Sequence, residues 1–429
     1  MAARGGVESA PNSPRPAPRP SPRIPIRPPM LGPKPLIFYC GLLLTLSAFS
    51  IDIMLPVFAA IGRDLPASAT AVKMTVPCYL FAFGLGQIVF GALSDRAGRR
   101  MAIIAGLGVY LAGTLACALA FNAESLLGGR LLQGLGGAAG PVVARAVIRD
   151  LYRGRQLARN MAAATAVFSL GPMLAPLLGY ALGAAAGWRS VFAAMFAFGG
   201  ALLWVAVFNL RDTARVRVAD AMQPAAMRRR ARRFFACRQS RYFFAVGAWM
   251  TVSMHLYLTN SPALYRDNFG IEGLWFALLF ASHGLGIIAG QVANRTLIGR
   301  YGTVTASAVA AALLTAAAAA LLALALAGAA GVASFTLLVF GFAVGFLVVI
   351  SNAAALAIDE HGDMAGFASS IVGCGAFTIG AAGAAILTLL TGGALLAWAA
   401  VTLGVCGVAL GALLRWRREM RVGDGAGGD

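Results

Sequence analysis

Twelve predominantly apolar stretches run along the chain, at 36–61, 72–93, 101–120, 125–147, 160–184, 189–209, 242–262, 273–294, 303–327, 332–355, 365–390 and 393–414. Each is near the roughly 20 residues that a helix needs to cross the apolar core of a bilayer. Gly, Ala, Pro and Ser punctuate them, as expected where helices pack closely without a hydrophobic force between them. Alternating apolar and polar positions over about ten residues, the mark of a membrane barrel, are absent from the sequence. The pattern predicts an all-α polytopic membrane protein with twelve transmembrane helices.

The polar interruptions then organise the helices. A long basic stretch, 210–241, divides them six and six. Gly91-Ala-Leu-Ser-Asp95-Arg96 follows the second span, and Gly290-Gln-Val-Ala-Asn294-Arg295 follows the eighth, 199 residues later. Such an echo fits a duplicated six-helix unit, and internal repeats are common in secondary transporters. The expected organisation is a disordered Pro/Arg-rich tail (1–35), an N-terminal six-helix bundle (36–209), a basic linker (210–241), a C-terminal six-helix bundle (242–414) and a short tail (415–429). The first tail holds eleven of the nineteen prolines. It lacks the apolar region of a signal peptide and reads as polyproline-like chain.

Composition agrees: 59% of residues are hydrophobic and 12% charged, about half the charged fraction of a soluble domain. The net charge of +19 would suit a nucleic-acid binder, but its placement argues against that partner. Of the 35 Lys and Arg, 30 fall in the two tails and in alternate loops on one side of the predicted spans. This is the positive-inside pattern, and it predicts that both termini are cytoplasmic. The six cysteines form no CxxC or Cys/His cluster, so neither a disulfide framework nor a zinc site is expected. Asp359-Glu360-His361-Gly362-Asp363 reads as a solvated turn rather than a metal site. No phosphate loop, nucleophile elbow or dinucleotide fingerprint is present, so no enzyme, ATP-driven pump, catalytic residue or cofactor is expected.

One residue stands out chemically. Of the sixteen acids, Asp52 alone lies within a span, roughly 24 Å along it from Leu36 at 1.5 Å per residue. An ionisable residue at membrane depth is costly and a functional candidate by default. The simplest partner for such a carboxylate is a proton. Arg130 in the fourth span, within Arg130-Leu-Leu-Gln133-Gly134, likewise needs a carbonyl or carboxylate partner. The loop Gly91-Ala-Leu-Ser-Asp95-Arg96-Ala-Gly98-Arg99-Arg100 combines turn-forming glycines with an acid that can pair with arginine or cap a helix. Gly171, Pro172, Pro176 and Gly179 in the fifth span kink a helix and let another approach. Trp249, Tyr257 and Asn260 in the seventh are weaker candidates for a substrate cavity. His255 and His283 read as packing histidines rather than proton relays.

The second-to-third-span loop resembles the signature of the major facilitator superfamily nearly residue for residue, and Arg130 with Gln133-Gly134 resembles its fourth-span signature. Four further stretches resemble the Bcr/CflA drug-resistance group: Ser50-x-Asp52-x-x-Leu55-Pro56; Ala175-Pro176-Leu-Leu-Gly179 with Gly187-Trp188-Arg189-x-x-Phe192; Ser261-Pro262; and Gly366-Phe-Ala368-Ser369. The resemblance covers roughly 36–415. It implies two pseudo-symmetric six-helix bundles working by alternating access. It also implies proton-driven export of drugs across a bacterial-type inner membrane, powered by the proton motive force. Asp52 would couple to protons with Arg130 as modulator. Gly91, Asp95, Arg96, Gly98, Arg99 and Arg100 would form a conformational latch, and the fifth-span kink would be the antiporter mark. Some multidrug members of the superfamily carry a second acid two turns before the Asp52 position, where this chain has Leu44. Neutral or zwitterionic amphipathic substrates, chloramphenicol- or bicyclomycin-like, are therefore expected over cationic drugs. The expected partners are a small-molecule substrate, protons and the lipid bilayer, with the protein a monomer. A metabolite exporter (for a sugar, amino acid or siderophore-like molecule) and a non-transporting membrane sensor are the rival readings.

Overall fold

The computed structural model describes residues 31–65, 68–214, 217–392 and 394–425. Most of the proline-rich tail, 1–30, lies outside them. Among the described residues there is no strand.

Helix α1 (Pro33–Asp52) begins on a proline, whose missing N–H is no loss in a first turn. It stops at Asp52 for a local reason. Pro56 has no N–H to offer the Asp52 carbonyl, so the α-helical ladder ends there. A 3-10 turn (Leu55–Val57) and a short helix, α2 (Phe58–Asp64), complete the first crossing. The first span is thus broken, not continuous, and the break falls on its only acid within the membrane.

Helix α3 (Ala69–Ala97) is capped by the Ser68 hydroxyl, which accepts a hydrogen bond from the Ala71 N–H at 3.1 Å. The chain reverses at Gly98, whose φ of +99° suits a residue without Cβ, and enters α4 (Arg99–Ala118). The fourth crossing is α5 (Ala123–Gly137) and α6 (Ala139–Leu151), which meet at Ala138. Helices α7 (Gly154–Ala186) and α8 (Arg189–Phe208) complete the first bundle.

The basic stretch 210–241 holds a helix of its own, α9 (Pro224–Ala236). It turns Phe234, fully buried, against Phe244 and His361, and leaves most of its arginines outward. The second bundle is α10 (Arg238–Phe269), α11 (Gly273–Tyr301), α12 (Thr303–Leu326), α13 (Val332–Ile358), α14 (Ala365–Thr391) and α15 (Leu395–Gly425). Helix α15 runs through position 414 into the expected tail.

Ten described stretches are long and apolar enough to cross a membrane. One of them, Val332–Thr391, is two helices, α13 and α14, joined by a 3-10 turn (Asp359–Met364). Helix α10 is long enough to cross but is less apolar than the others. It carries Thr251, Ser253, His255, Thr259, Asn260 and Ser261, all buried. Its polarity is turned inward, so it crosses inside protein rather than facing lipid. Twelve crossings result among the described residues.

The two bundles meet along α3 with α14 and α7 with α11. The basic ends of α3 and α14 meet at Gly91 and Ser370, and their far ends are tied by the Lys73 ammonium donating to the Gly392 carbonyl at 3.1 Å. Between α7 and α11 the Gln291 amide donates to the Ser169 hydroxyl at 3.2 Å.

Candidate functional site: an unpartnered acid and a saturated ionic cluster

Ser50 and Asp52 are two residues apart on α1, so they lie about 200° apart around the helix. They face different surroundings. The Ser50 hydroxyl is 2.8 Å from the Tyr110 hydroxyl, inside the first bundle. Asp52 is 4% exposed. No described residue gives it a hydrogen bond or an ion pair. Tyr257, on α10 of the opposite bundle, lies within its electrostatic reach.

Tyr257 belongs to an aromatic cluster, with ring centroids 5.8 Å from Phe280, 5.3 Å from His283 and 5.8 Å from Trp398. The Tyr257 hydroxyl, His283 Nδ1 and Trp398 Nε1 are buried without hydrogen-bond partners. The Asn260 amide donates to Thr388 at 2.8 Å, while its Oδ1 is unpartnered. Unused polar groups at membrane depth cost free energy, and here they gather in the second bundle around Tyr257. Trp249 does not join them. It sits two helical turns toward the basic end and is 42% exposed. His255 is buried beside Phe377, with its Nδ1 unpartnered.

Arg130 is fully buried and has no carboxylate partner among the described residues. Its guanidinium donates to the Ser50 carbonyl at 3.1 Å, the Thr75 carbonyl at 3.3 Å and the Gln133 Oε1 at 2.6 Å. It also lies 4.4 Å from the Tyr79 ring centroid, a cation–π contact. Gln133 in turn donates to the Thr114 hydroxyl at 2.8 Å. Arg130 therefore ties α1, α3 and α5 together, and its link to Asp52 runs through the backbone of α1 rather than through an ion pair. Gly134 faces the Tyr79 carbonyl at the α3–α5 contact.

The fifth-span residues seat the broken part of the first span. A Cβ on Gly179 would stand 1.9 Å from the Ile53 carbonyl oxygen, so only glycine lets α7 approach the residue next to Asp52. Gly171 faces Thr45 of α1, and Pro172 lies against Gly284 of α11. Pro172 and Pro176 stand inside α7, which continues through both.

At the basic end the loop after α3 is saturated with partners. The Arg99 guanidinium donates to Asp95 at 2.8 Å, Asp150 at 2.8 Å and the Ser94 hydroxyl at 2.9 Å. Its backbone N–H donates to Asp212 at 2.8 Å. The Thr213 hydroxyl donates to Asp150, Arg217 pairs with Asp212, and the Val218 N–H donates to the Asp95 carbonyl at 2.9 Å. Arg100 donates to the carbonyls of Ala206 and Val207. Arg96 makes no ion pair with a described acid. Gly366 of α14 lies near both Asp95 and Arg149, so the cluster abuts the second bundle. Asp212, Ser50, Tyr79 and Tyr110 were not singled out by sequence as partners. Asp212 had one visible signal, an acid at the head of a basic stretch.

The turn 359–364 is exposed at Asp359, Glu360, Gly362 and Asp363, as expected of a solvated turn, but not at His361. His361 is buried, 3.0 Å from the Ser240 hydroxyl, and Asp363 pairs with Arg233 of α9 at 2.5 Å. The turn is a dock for α9, and no group of metal-ligating residues occurs among the described residues.

Residues 37–385 match the family model described as Major Facilitator Superfamily, and the chain belongs to that superfamily. It is a multi-pass membrane transporter, not an enzyme. An uncharacterized MFS-type transporter of Bacillus subtilis (strain 168), YdgK, is 28% identical over 348 residues, covering 79% of this chain and 84% of the relative. The multidrug resistance protein MdtL of Escherichia fergusonii is 28% identical over 335 residues, covering 75% and 80%. Among solved structures, a D-xylose-proton symporter superposes with a TM-score of 0.70 at 14% identity, over 89% of this chain and 96% of that one. The human organic anion transporter MFSD10 superposes at 0.65 with 20% identity, over 89% and 100%.

Proposed function

We propose that this transporter is a proton-driven exporter of the Bcr/CflA type. It would carry small amphipathic molecules, neutral or zwitterionic, outward across a bacterial inner membrane. The basic end is assigned to the cytoplasm, because the loops and termini gathered there hold most of the Lys and Arg. The observation that carries the reading is Asp52: a buried carboxylate with no partner among the described residues, at the point where its span breaks, with Tyr257 of the other bundle within electrostatic reach. A carboxylate so placed is costly when ionised, which favours exchange of its charge for a proton. The relatives named as multidrug resistance proteins support export of drugs over uptake of a nutrient.

In the proposed cycle Asp52 takes a proton in the outward-facing state. The halves rock, and in the inward-facing state the proton leaves as substrate binds, because bound proton and bound substrate exclude one another; the loaded, deprotonated carrier then returns outward. A proton motive force of about 150 mV supplies on the order of 3.5 kcal/mol per proton, enough for accumulation of several hundred-fold. Tyr257 and Asn260 would contribute to the substrate surface, and Arg130 would hold the α1 backbone behind Asp52.

The test uses everted membrane vesicles with a preset pH gradient and a panel of antibiotics that includes chloramphenicol. Addition of a transported compound should dissipate the gradient in wild-type vesicles and leave it intact in Asp52→Asn vesicles. Protection of cells by Asp52→Asn equal to that of the wild type would remove Asp52 from the coupling role.

A further inference from the structure

At the basic end, where α7 and α11 separate beyond the Ser169–Gln291 hydrogen bond, a groove of about 860 Å³ opens between the two bundles. It is lined by Arg155, Gln156, Ala158, Arg159 and Ala162 of α7 and by Arg295 of α11. A second hollow, of about 440 Å³, adjoins it and shares Gln156 and Arg159. Its walls run between α7 and the start of α1 and include Lys34, Ile37, Phe38 and Val167. Phe38 is 55% exposed.

No described acid lines either space. Elsewhere at this end seven arginines (99, 217, 229, 230, 233, 238 and 415) are in ion pairs with acids. Arg155, Arg159 and Arg295 form none with a described residue. A topology signal alone requires positive charge at this end of the spans. It does not require three guanidinium groups without ion pairs, drawn from both bundles around one concavity that adjoins a hollow with Ile37, Phe38 and Val167 in its wall.

We propose that this groove binds an anionic phospholipid of the cytoplasmic leaflet. The phosphate would lie among Arg155, Arg159 and Arg295, and an acyl chain along Ile37, Phe38 and Val167. Guanidinium groups grip phosphate through paired hydrogen bonds, and basic hollows between membrane helices suit lipid headgroups of this charge. Arg155 and Arg159 belong to one bundle and Arg295 to the other, so the lipid would bridge them and favour the arrangement in which α7 and α11 are close.

The experiment is independent of any transported compound. Detergent-purified full-length protein is titrated with short-chain phosphatidylglycerol, short-chain phosphatidylcholine or inorganic phosphate, and both the melting midpoint and bound lipid by native mass spectrometry are followed. The expected result is a preference of about tenfold for phosphatidylglycerol over phosphatidylcholine, with no response to inorganic phosphate. The triple variant Arg155→Gln, Arg159→Gln, Arg295→Gln should lose the preference. Arg228→Gln, Arg232→Gln, Arg418→Gln, which removes the same charge outside the groove, should keep it. Ala162→Phe, which fills the groove and leaves every arginine in place, should lose it too and serves if the first triple variant does not fold. Retention of the preference by Ala162→Phe, equal loss in both triple variants, or an equal response to inorganic phosphate would each overturn the assignment.

Discussion

Asp52 and Arg99 are both charged residues of the first bundle, both largely withdrawn from water, and they could hardly be treated more differently. Arg99 touches two carboxylates and a serine hydroxyl, and its own N–H is taken by a third carboxylate. Asp52 touches none. A buried charge is tolerated when it is paired and hydrogen-bonded. One left bare is a candidate for function rather than for holding the fold. Arg130 is the intermediate case: no counter-ion, but three acceptors and a ring face. The difference separates charges that hold this fold from the one proposed to work it.

That separation can be broken most sharply by exchanging the consequences. Asp52→Asn should reduce the steady-state accumulation ratio in everted vesicles from several hundred-fold toward one, a loss of about 3.5 kcal/mol of coupling. Its melting midpoint in detergent should stay level or rise, because no partner is lost. A clear fall in midpoint would mean that Asp52 is structural after all.

Arg99→Ala should do the reverse. Leaving Asp95 and Asp150 unpaired should cost about 3 kcal/mol of stability, seen as a lower melting midpoint and less protein in the membrane. If the midpoint is unchanged, the cluster is a solvated surface group and the contrast with Asp52 fails.

A smaller effect is expected from Gly98→Ala. A Cβ there would stand 1.9 Å from Asp212 and would hold a positive φ. The expected cost is about 1–2 kcal/mol. Adding Asp212→Ala should relieve the collision but not the φ penalty, so the double variant should show less than additive loss.

The smallest effect concerns Asp363, an exposed member of the paired class. The hydrogen bond from the Arg233 guanidinium holds its carboxyl below the usual carboxylate range. A carboxyl lowered on folding contributes stability above its unfolded value, near 3.8, and loses it as pH falls through the lower folded value. The midpoint difference between wild type and Asp363→Asn should be no more than about 2 °C at pH 7 and should shrink as the pH is lowered below about 4. A difference that grows with acidity would sink the pairing.

The helical architecture was legible because its signals are local: runs of apolar residues, and charge confined to one side. Asp52 was legible for the same reason, as an acid where none belongs. Other features rest on partners that sequence does not advertise. Arg130 donates to the carbonyls of Ser50 and Thr75, and a carbonyl is common to every residue. The break after Asp52 was written in Pro56, yet the unbroken apolarity of 36–61 concealed it. Helix α10 reads as a poor membrane span until its polar residues are seen to be buried against other helices. His361 looked like part of a solvated turn because its cover, Phe234, lies on a helix more than a hundred residues away. Trp249 and Tyr257 share a helix, and only coordinates separate an exposed ring from a buried one.

The stretch between the bundles has a mechanical consequence. It is fastened to the first bundle at Val218, through the Asp95 carbonyl, and to the second by α9, through Phe234 and the Arg233–Asp363 pair. Five residues, 219–223, separate Val218 from the start of α9 at Pro224. Fully drawn out they reach about 20 Å. Here that slack is folded into turns, with Ala221 bonded back to Val218 and Gln223 to Asp220. The connection is a leash of fixed length. The halves can part at this end until the turns have unrolled, and any wider gape has to tear the leash from one of its fastenings.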